Sequence, residues 1–444
     1  MVEVLRERIE SASRFAHYGR VTRVVGLVIE AVGLDAAMGE LCEIQNFSGE
    51  ASVLAEVVGF HERGILLMPL EELEGVHPGS PVRQLRRSFG AQVGPGLLGR
   101  ILDGLGHPMD GRGDVGPTTR VPLFADPPNP LERRPISKPL VTGIRALDGL
   151  LTIGRGQRIG IFSGSGVGKS TLLGMIARHA SADVNVIALL GERGREVNEF
   201  IQKSLGPEGL ARSVLVVATG DQSALIRARG ALVATAIAEY FREEGKQVLL
   251  MVDSVTRVAM AWREIGLAVG EPPTTRGYPP SVFASLPRLL ERAGNGLKGG
   301  ITGIYTVLVE GDDFNEPVAD HARAVLDGHI LLSRDLASGG HFPAIEVLGS
   351  TSRLRNEIID PEHLEAAKRF QGLMAAHRDK EDLISVGAYQ NGTNPATDAA
   401  IRLREPMMEF LRQTPGECSG FQGTRERLLS IVRKAGLAAG EAVA

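Results

Sequence analysis

The sequence predicts an α/β protein in three parts: a small N-terminal β-barrel, a central P-loop domain on a mainly parallel sheet, and a C-terminal helical domain. Three observations predict it. Short alternating strands crowd residues 19–93, apolar strands alternate with helices from about 140 to 360, and three helical runs fill 361–444. Segment type and order of this kind decide fold class. At 444 residues the length suggests about three domains, and 43% hydrophobic residues allow a large core.

Residues 1–18 form an amphipathic helix on paper, with Leu5, Ile9, Ala12, Phe15 and Ala16 on one side. Such a helix is either a docking arm for a partner or membrane surface, or a frayed terminus. From Gly19 to about Val93, runs such as GRVTRVVGLVIEAVG, GELCEIQNF and GILLMPL alternate in hydrophobicity and break at Gly, Pro and Asn. Several short strands so closely spaced predict a small barrel. A Gly/Pro-rich connection follows, LLGRILDGLGHPMDGRG (97–113) and then Pro122, Pro127, Pro128, Pro130 and Pro135, which reads as a linker.

The central region holds apolar strands at 158–163, 184–190, 213–218, 247–252, 302–309 and 329–332. Uninterrupted apolar strands between helices imply a parallel sheet covered on both faces. Ligands of such sheets bind at the carboxyl ends of the strands. The residues that follow each strand are therefore the candidates.

After the first strand comes Ser163-Gly164-Ser165-Gly166-Val167-Gly168-Lys169-Ser170-Thr171, opening a helix. Strand, glycine loop, Lys-Ser and helix together make a phosphate-binding P-loop. Glycines let backbone N–H groups approach phosphate oxygens, and the helix N-terminus adds positive charge. Lys169 would reach the β/γ-phosphates and the Ser170 hydroxyl would ligate Mg²⁺. Ser163 stands where the consensus has its first glycine. Asp253 ends the 247–252 strand in the Walker B position, a second Mg²⁺ group, and its bland alternative is a helix N-cap. Glu192 follows the 184–190 strand on the same sheet edge, where a carboxylate can polarise the attacking water. Taken alone, it could equally be a solvated acid beside Arg193 or Arg195.

Net charge is −4, so there is no basic footprint for nucleic acid. No apolar run reaches the ~18 residues of a membrane helix, and MVEVLRERIESASRF lacks a secretory h-region. Cys42 and Cys418 lie far apart and flank no motif, as expected of inert thiols in a reducing cytoplasm. The ten histidines show no metal-ligand spacing.

These motifs together resemble a family. GSGVGKS (164–170), GERGREV (191–197), DSVTR (253–257) and GEPPTTRGYPPSVFASLPRLLERAG (270–294) are similar to the homohexameric ATPases of type III protein export. Those in turn resemble the catalytic β subunits of rotary ATP synthases. MAWREIGLAVGEPPTTRGY (260–278) looks more like the flagellum-specific enzyme than the virulence-injectisome one, and GRILDGLGHPMDG (99–111) matches the stretch after the family's barrel. The family commonly has Ala at 163.

The resemblance implies a RecA-like central domain over 94–360, between the barrel and the helices of 361–444, and ATP with Mg²⁺ as nucleotide and metal. It assigns Arg353, in LGSTSRLRN (348–356), as an arginine finger reaching the neighbouring subunit's γ-phosphate; the bland alternative is a surface salt bridge. It places Phe342, in HFPAIEV (341–347), on the adenine, with Phe421, in FLRQTPGECSGF (410–421), either closing the other side of the base or sitting in the core. Arg193 matches a position beside the catalytic acid, or pairs with Glu196. The implied partners are other copies of the chain in a hexamer, a peripheral-stalk regulator on the N-terminal helix, a central-stalk protein in the pore, export chaperones and substrates, and the export gate at the cytoplasmic membrane. Nucleic acid is not among them. A non-catalytic rotary subunit would lack the acid at 192, an ATP synthase β subunit would carry a different stretch at 270–294, and a hexameric RNA translocase would need a basic, aromatic barrel face. A pure nucleotide-binding scaffold would bind without turnover.

Overall fold

The computed structural model describes residues 18–46, 52–62, 64–309, 313 and 316–440, with side chains to 435. The helix expected over 1–18 lies outside these residues except for Tyr18, which opens the first strand.

Six antiparallel strands, Tyr18–Val25, Val28–Val32, Glu40–Gln45, Ser52–His61, Gly64–Pro69 and Pro81–Ser88, close into a barrel in the order first, second, fifth, fourth, third, sixth. Pairing of the first with the sixth completes it, so no edge remains to recruit another chain. Every second side chain faces inward, and Val21, Ile29, Cys42, Ile44, Val57, Leu67 and Val82 make its core. Burial, with the charge of Glu40, pushes the Cys42 thiol up to about 12, so it stays an unreactive core atom. The barrel ends at Ser88; Gly90–Val93 leaves it and pairs with Thr119–Pro122.

The central sheet has eight strands in one path. They run in the order Ile345–Ser352, Gly328–Leu332, Arg158–Ser163, Gly300–Leu308, Gln247–Asp253, Val184–Leu190, Ser213–Ala218 and Ile101–Asp103. All neighbours are parallel except the first pair. Val184–Leu190 and Ser213–Ala218 are buried at every residue, as helices on both faces require. Two strands sit where the sequence showed none. Ile101–Asp103 lies inside the stretch that read as a linker, fixed by Arg100, whose guanidinium grips Asp110 at 2.7 and 2.8 Å. Ile345–Ser352 covers the other edge, antiparallel, reached from its neighbour through the short helix Arg334–Ser338 and a loop that contains Phe342.

A buried ion pair spans barrel and sheet. Arg229, on the helix Ala224–Glu243, donates from Nε to Glu56 of the barrel at 2.9 Å while its guanidinium lies over the Phe124 ring. The C-terminal helices Pro361–Arg378, Pro395–Leu411 and Phe421–Gly440 share one apolar core with the P-loop helix, a core that includes Phe370, Phe410, Leu172 and Ile176. Asp360 and Asn394 cap the first two, accepting N–H bonds of 2.9–3.1 Å. No helix among the described residues is long and apolar enough to cross a membrane.

Candidate active site

The parallel sheet delivers three strand ends to one place. Arg158–Ser163 ends at the glycine loop, Gln247–Asp253 at a carboxylate, and Val184–Leu190 two residues before Glu192. Register pairs Leu189 with Asp253, so the two acids come from adjacent strands at the same height.

The loop is held from below and open above. Val167 is buried as its anchor while Ser165 and Gly166 are exposed. Gly166 and Gly168 have φ of 79° and 88°, a region that costs a side-chain-bearing residue strain. Gly168 is the N-cap of the helix Lys169–His179 and, being glycine, has no side chain to satisfy an N–H. The free amides and the helix dipole are therefore left for an anion. Ser163 ends the strand with its backbone carbonyl bonded to the Val309 N–H at 3.0 Å. Its Oγ is buried without a hydrogen-bond partner. Ser170 and Thr171 are exposed at the helix start.

Lys169 reaches both acids. Its Nζ forms an ion pair with Asp253 Oδ1 and lies 3.4 Å from Glu192 Oε1. Asp253 also accepts from Thr306 Oγ1, on the neighbouring strand, at 2.7 Å. Asp253 is not the cap of the helix Val255–Ala268: Ser254 is, accepting the Arg257 N–H at 3.3 Å. The aspartate is thus free of that structural duty. Burial pushes the Glu192 carboxyl above the ordinary glutamate range; Lys169 opposes the shift, and the charge of Asp253 and the hydrogen bond and charge of Glu196 add to it. A base poised nearer neutrality is better matched to taking a proton from water.

The other predicted residues divide by position. Phe342 follows the Gly328–Leu332 strand, on the P-loop's edge of the sheet. Its ring lies against Gly168, close enough that a Cβ there would touch it at 3.4 Å, and it is 45% exposed. Phe421 opens the last helix, half-buried, with its ring edge-on to His363 at 5.7 Å. Arg193 pairs with Glu196 at 3.0 Å and is otherwise exposed. Arg353 is exposed just past the edge strand, where Ser352 pairs with Gly328 and the Arg353 N–H bonds Asp327. Asp327 in turn bonds Arg158, at the start of the P-loop strand. Arg353 therefore stands about 16 Å, one strand length, from its own loop.

Sequence reasoning missed Arg257 and Thr306. The stem of Arg257 packs on Gly191, and its Nε is buried with no partner; a guanidinium N–H left unsatisfied there suits an anionic ligand. Its only signal was a place four residues after Asp253, one helical turn on.

The comparisons identify the family of this fold. The nucleotide-binding domain of the ATP synthase alpha/beta family matches residues 143–352, that family's beta-barrel domain 21–86, and the T3SS EscN ATPase C-terminal domain 359–430. The flagellum-specific ATP synthase of Bacillus subtilis (strain 168) is 54% identical, covering 95% of this chain and 97% of that one. The chain belongs to the flagellum-specific and type III secretion ATPases. The type 3 secretion system ATPase of Xanthomonas euvesicatoria is 51% identical over 93% of this chain and 94% of its own. The structure of the assembled ATPase EscN of the enteropathogenic E. coli type III secretion system superposes with a TM-score of 0.89 at 47% identity, covering 93% of this chain and all of that one. As a type III export ATPase the protein binds and hydrolyses ATP and serves protein export. The barrel, parallel sheet and terminal helices are the family's architecture.

Proposed function

We propose that this export ATPase works in flagellar assembly, as a homohexamer whose sites lie between subunits. The observation that carries the second half is the separation of Arg353 from its own P-loop by one strand. A finger so placed serves a neighbour. The flagellar reading rests on the 260–278 stretch and on the 54% identity to the Bacillus subtilis protein; its alternative is an injectisome, since a secretion-system relative stands at 51%.

In this reading the loop amides of 164–168 and Lys169 hold the phosphates, which requires Lys169 to leave Asp253 when ATP arrives. Phe342 stacks on the adenine, and Phe421 is the weaker candidate for its other face. Ser170 and Asp253, a hydroxyl and a carboxylate, are the hard oxygen donors Mg²⁺ prefers, and Thr306 keeps Asp253 oriented when Lys169 departs. Bound there, the metal would neutralise phosphate charge. Glu192 takes the proton of the attacking water. Arg353 of the next subunit meets the charge that develops on the γ-phosphate, a contribution of ~10³–10⁵ in other nucleotide hydrolases.

EscN has been solved with its central stalk EscO; a central-stalk protein in the pore of this hexamer is the corresponding partner. A peripheral-stalk regulator on residues 1–18, export chaperones with their cargo, and a gate at the inner face of the cytoplasmic membrane complete the proposed setting. Hydrolysis would release or unfold cargo there.

The test is steady-state turnover against enzyme concentration for wild type and Glu192→Gln. Turnover per subunit should rise with assembly, and the variant should bind ATP but lose ~10²–10⁴ in rate. Concentration-independent turnover would remove the shared site, and an active variant would remove Glu192 from it.

A further inference from the structure

We propose that Gln413 is a positioning residue that fixes Phe342 at the distance from the P-loop that a stacked base requires. The inference rests on the reading of Phe342 as the base platform.

Gln413 lies between the helices Pro395–Leu411 and Phe421–Gly440 and is 4% exposed. Its backbone N–H donates to the Phe342 carbonyl at 2.9 Å. Its side chain faces the other way. Oε1 accepts the Arg145 N–H at 3.0 Å, and Nε2 donates to the carbonyls of Gly143 at 2.7 Å and Glu417 at 2.8 Å. Both amide hydrogens and the carbonyl oxygen are thus engaged, so the group cannot turn without leaving buried polar atoms unpaired.

The partners explain what is being fixed. Gly143 lies just before the helix Arg145–Leu150 that Arg145 opens, and a Cβ on Gly143 would meet His179, in the last turn of the P-loop helix, at 2.8 Å. Arg178 of that same turn reaches the Pro415 carbonyl. Gln413 therefore ties Phe342 to the body that carries the loop. The Phe342 ring is held against Gly168 with much of its surface free, as a flat aromatic ligand needs. The chemistry is sensitive to the residue. Asn would fall one methylene short. Glu would keep the acceptor for Arg145 but set a carboxylate against two carbonyls.

The predicted signature is a loss of base recognition with phosphate recognition intact. In the assembled full-length protein, the affinities for Mg²⁺ with ATP and for Mg²⁺ with inorganic tripolyphosphate are compared in wild type, Phe342→Ala, Gln413→Met and the double variant. Gln413→Met should weaken ATP about tenfold, within the range of one lost base–aromatic contact, and leave tripolyphosphate unchanged. The double variant should be no worse than Phe342→Ala alone, because both act through one ring. Gln413→Glu gives the same comparison should the methionine variant not fold. If Phe342→Ala alone shifts the ratio, or if the two losses add, Gln413 does not position the ring and the proposal fails while the platform stands. If Phe342→Ala leaves the ratio unchanged, the platform reading fails and takes the proposal with it.

Discussion

Phe342 and Arg353 stand at opposite ends of one strand. Phe342 rests on Gly168 at the nucleotide edge of the sheet, and Arg353 follows Ser352, which pairs with Gly328 at the other edge. In the proposed reading one chain therefore presents its base platform to its own loop and its finger elsewhere. The mixing experiment follows. Lys169→Ala and Arg353→Ala should each be inactive alone. Mixed in equal amounts they should regain turnover, because some interfaces then join an intact P-loop to an intact finger. Steady-state phosphate release on titrating one variant into the other measures it, and a mixture as inactive as its parts would place the finger in its own site.

Lys169 and Asp253 form a nearly dry pair, with side-chain exposures of 11% and 3%. Removing one partner of a buried pair strands the other charge. Lys169→Ala should lower the nucleotide-free stability by about 3 kcal/mol, at the low end for such pairs because Thr306 still bonds Asp253. Adding Asp253→Asn should restore most of it. Urea denaturation of the three proteins checks both signs, and a Lys169→Ala protein as stable as wild type would mean that the pair does not hold in solution.

Glu192 must be ionised to act as base, so activity falls as pH drops through its pKa. Burial raises that pKa first, and the hydrogen bond and charge of Glu196 raise it further. The acid limb of kcat/KM should therefore lie above the ordinary glutamate value of about 4.3. Glu196→Gln removes a negative charge that disfavours ionisation. The limb should then move to lower pH with the plateau kept. A limb that stays in place would show that Glu196 does not act on Glu192.

The loop, Asp253 and the apolar strands were legible because each is local, a run of side chains or a spacing within about ten residues; Glu192, which alone could equally be a solvated acid, took its reading from the surrounding motif. What was not legible depended on distant pairing. Ile101–Asp103 is three residues, too short to signal a strand, and becomes one only against Ser213–Ala218. The edge strand Ile345–Ser352 has mixed burial and reads as two motifs rather than one element. Arg257 and Gln413 are ordinary polar residues until the fold buries the Nε of one without a partner and saturates the side chain of the other. The proposal of Arg353 as finger came only through resemblance, since an exposed arginine carries no local mark of a subunit it would serve.

Ser163 is the place where the P-loop departs from its consensus, and the structure turns that departure into a measurable cost. Its Oγ is buried at the end of the strand with no hydrogen-bond partner. A buried hydroxyl without a partner forfeits the bonds it made to water when unfolded. Ser163→Ala deletes that group and leaves the backbone bond to Val309 in place. The variant should be more stable by about 1 kcal/mol without nucleotide, seen as a higher urea midpoint at unchanged slope. Turnover should be unaltered, because the amides that face the phosphates begin at Gly164 and φ is demanding only at Gly166 and Gly168. A loss of stability instead would mean that the hydroxyl is satisfied in solution by bound water or by a shift of the loop.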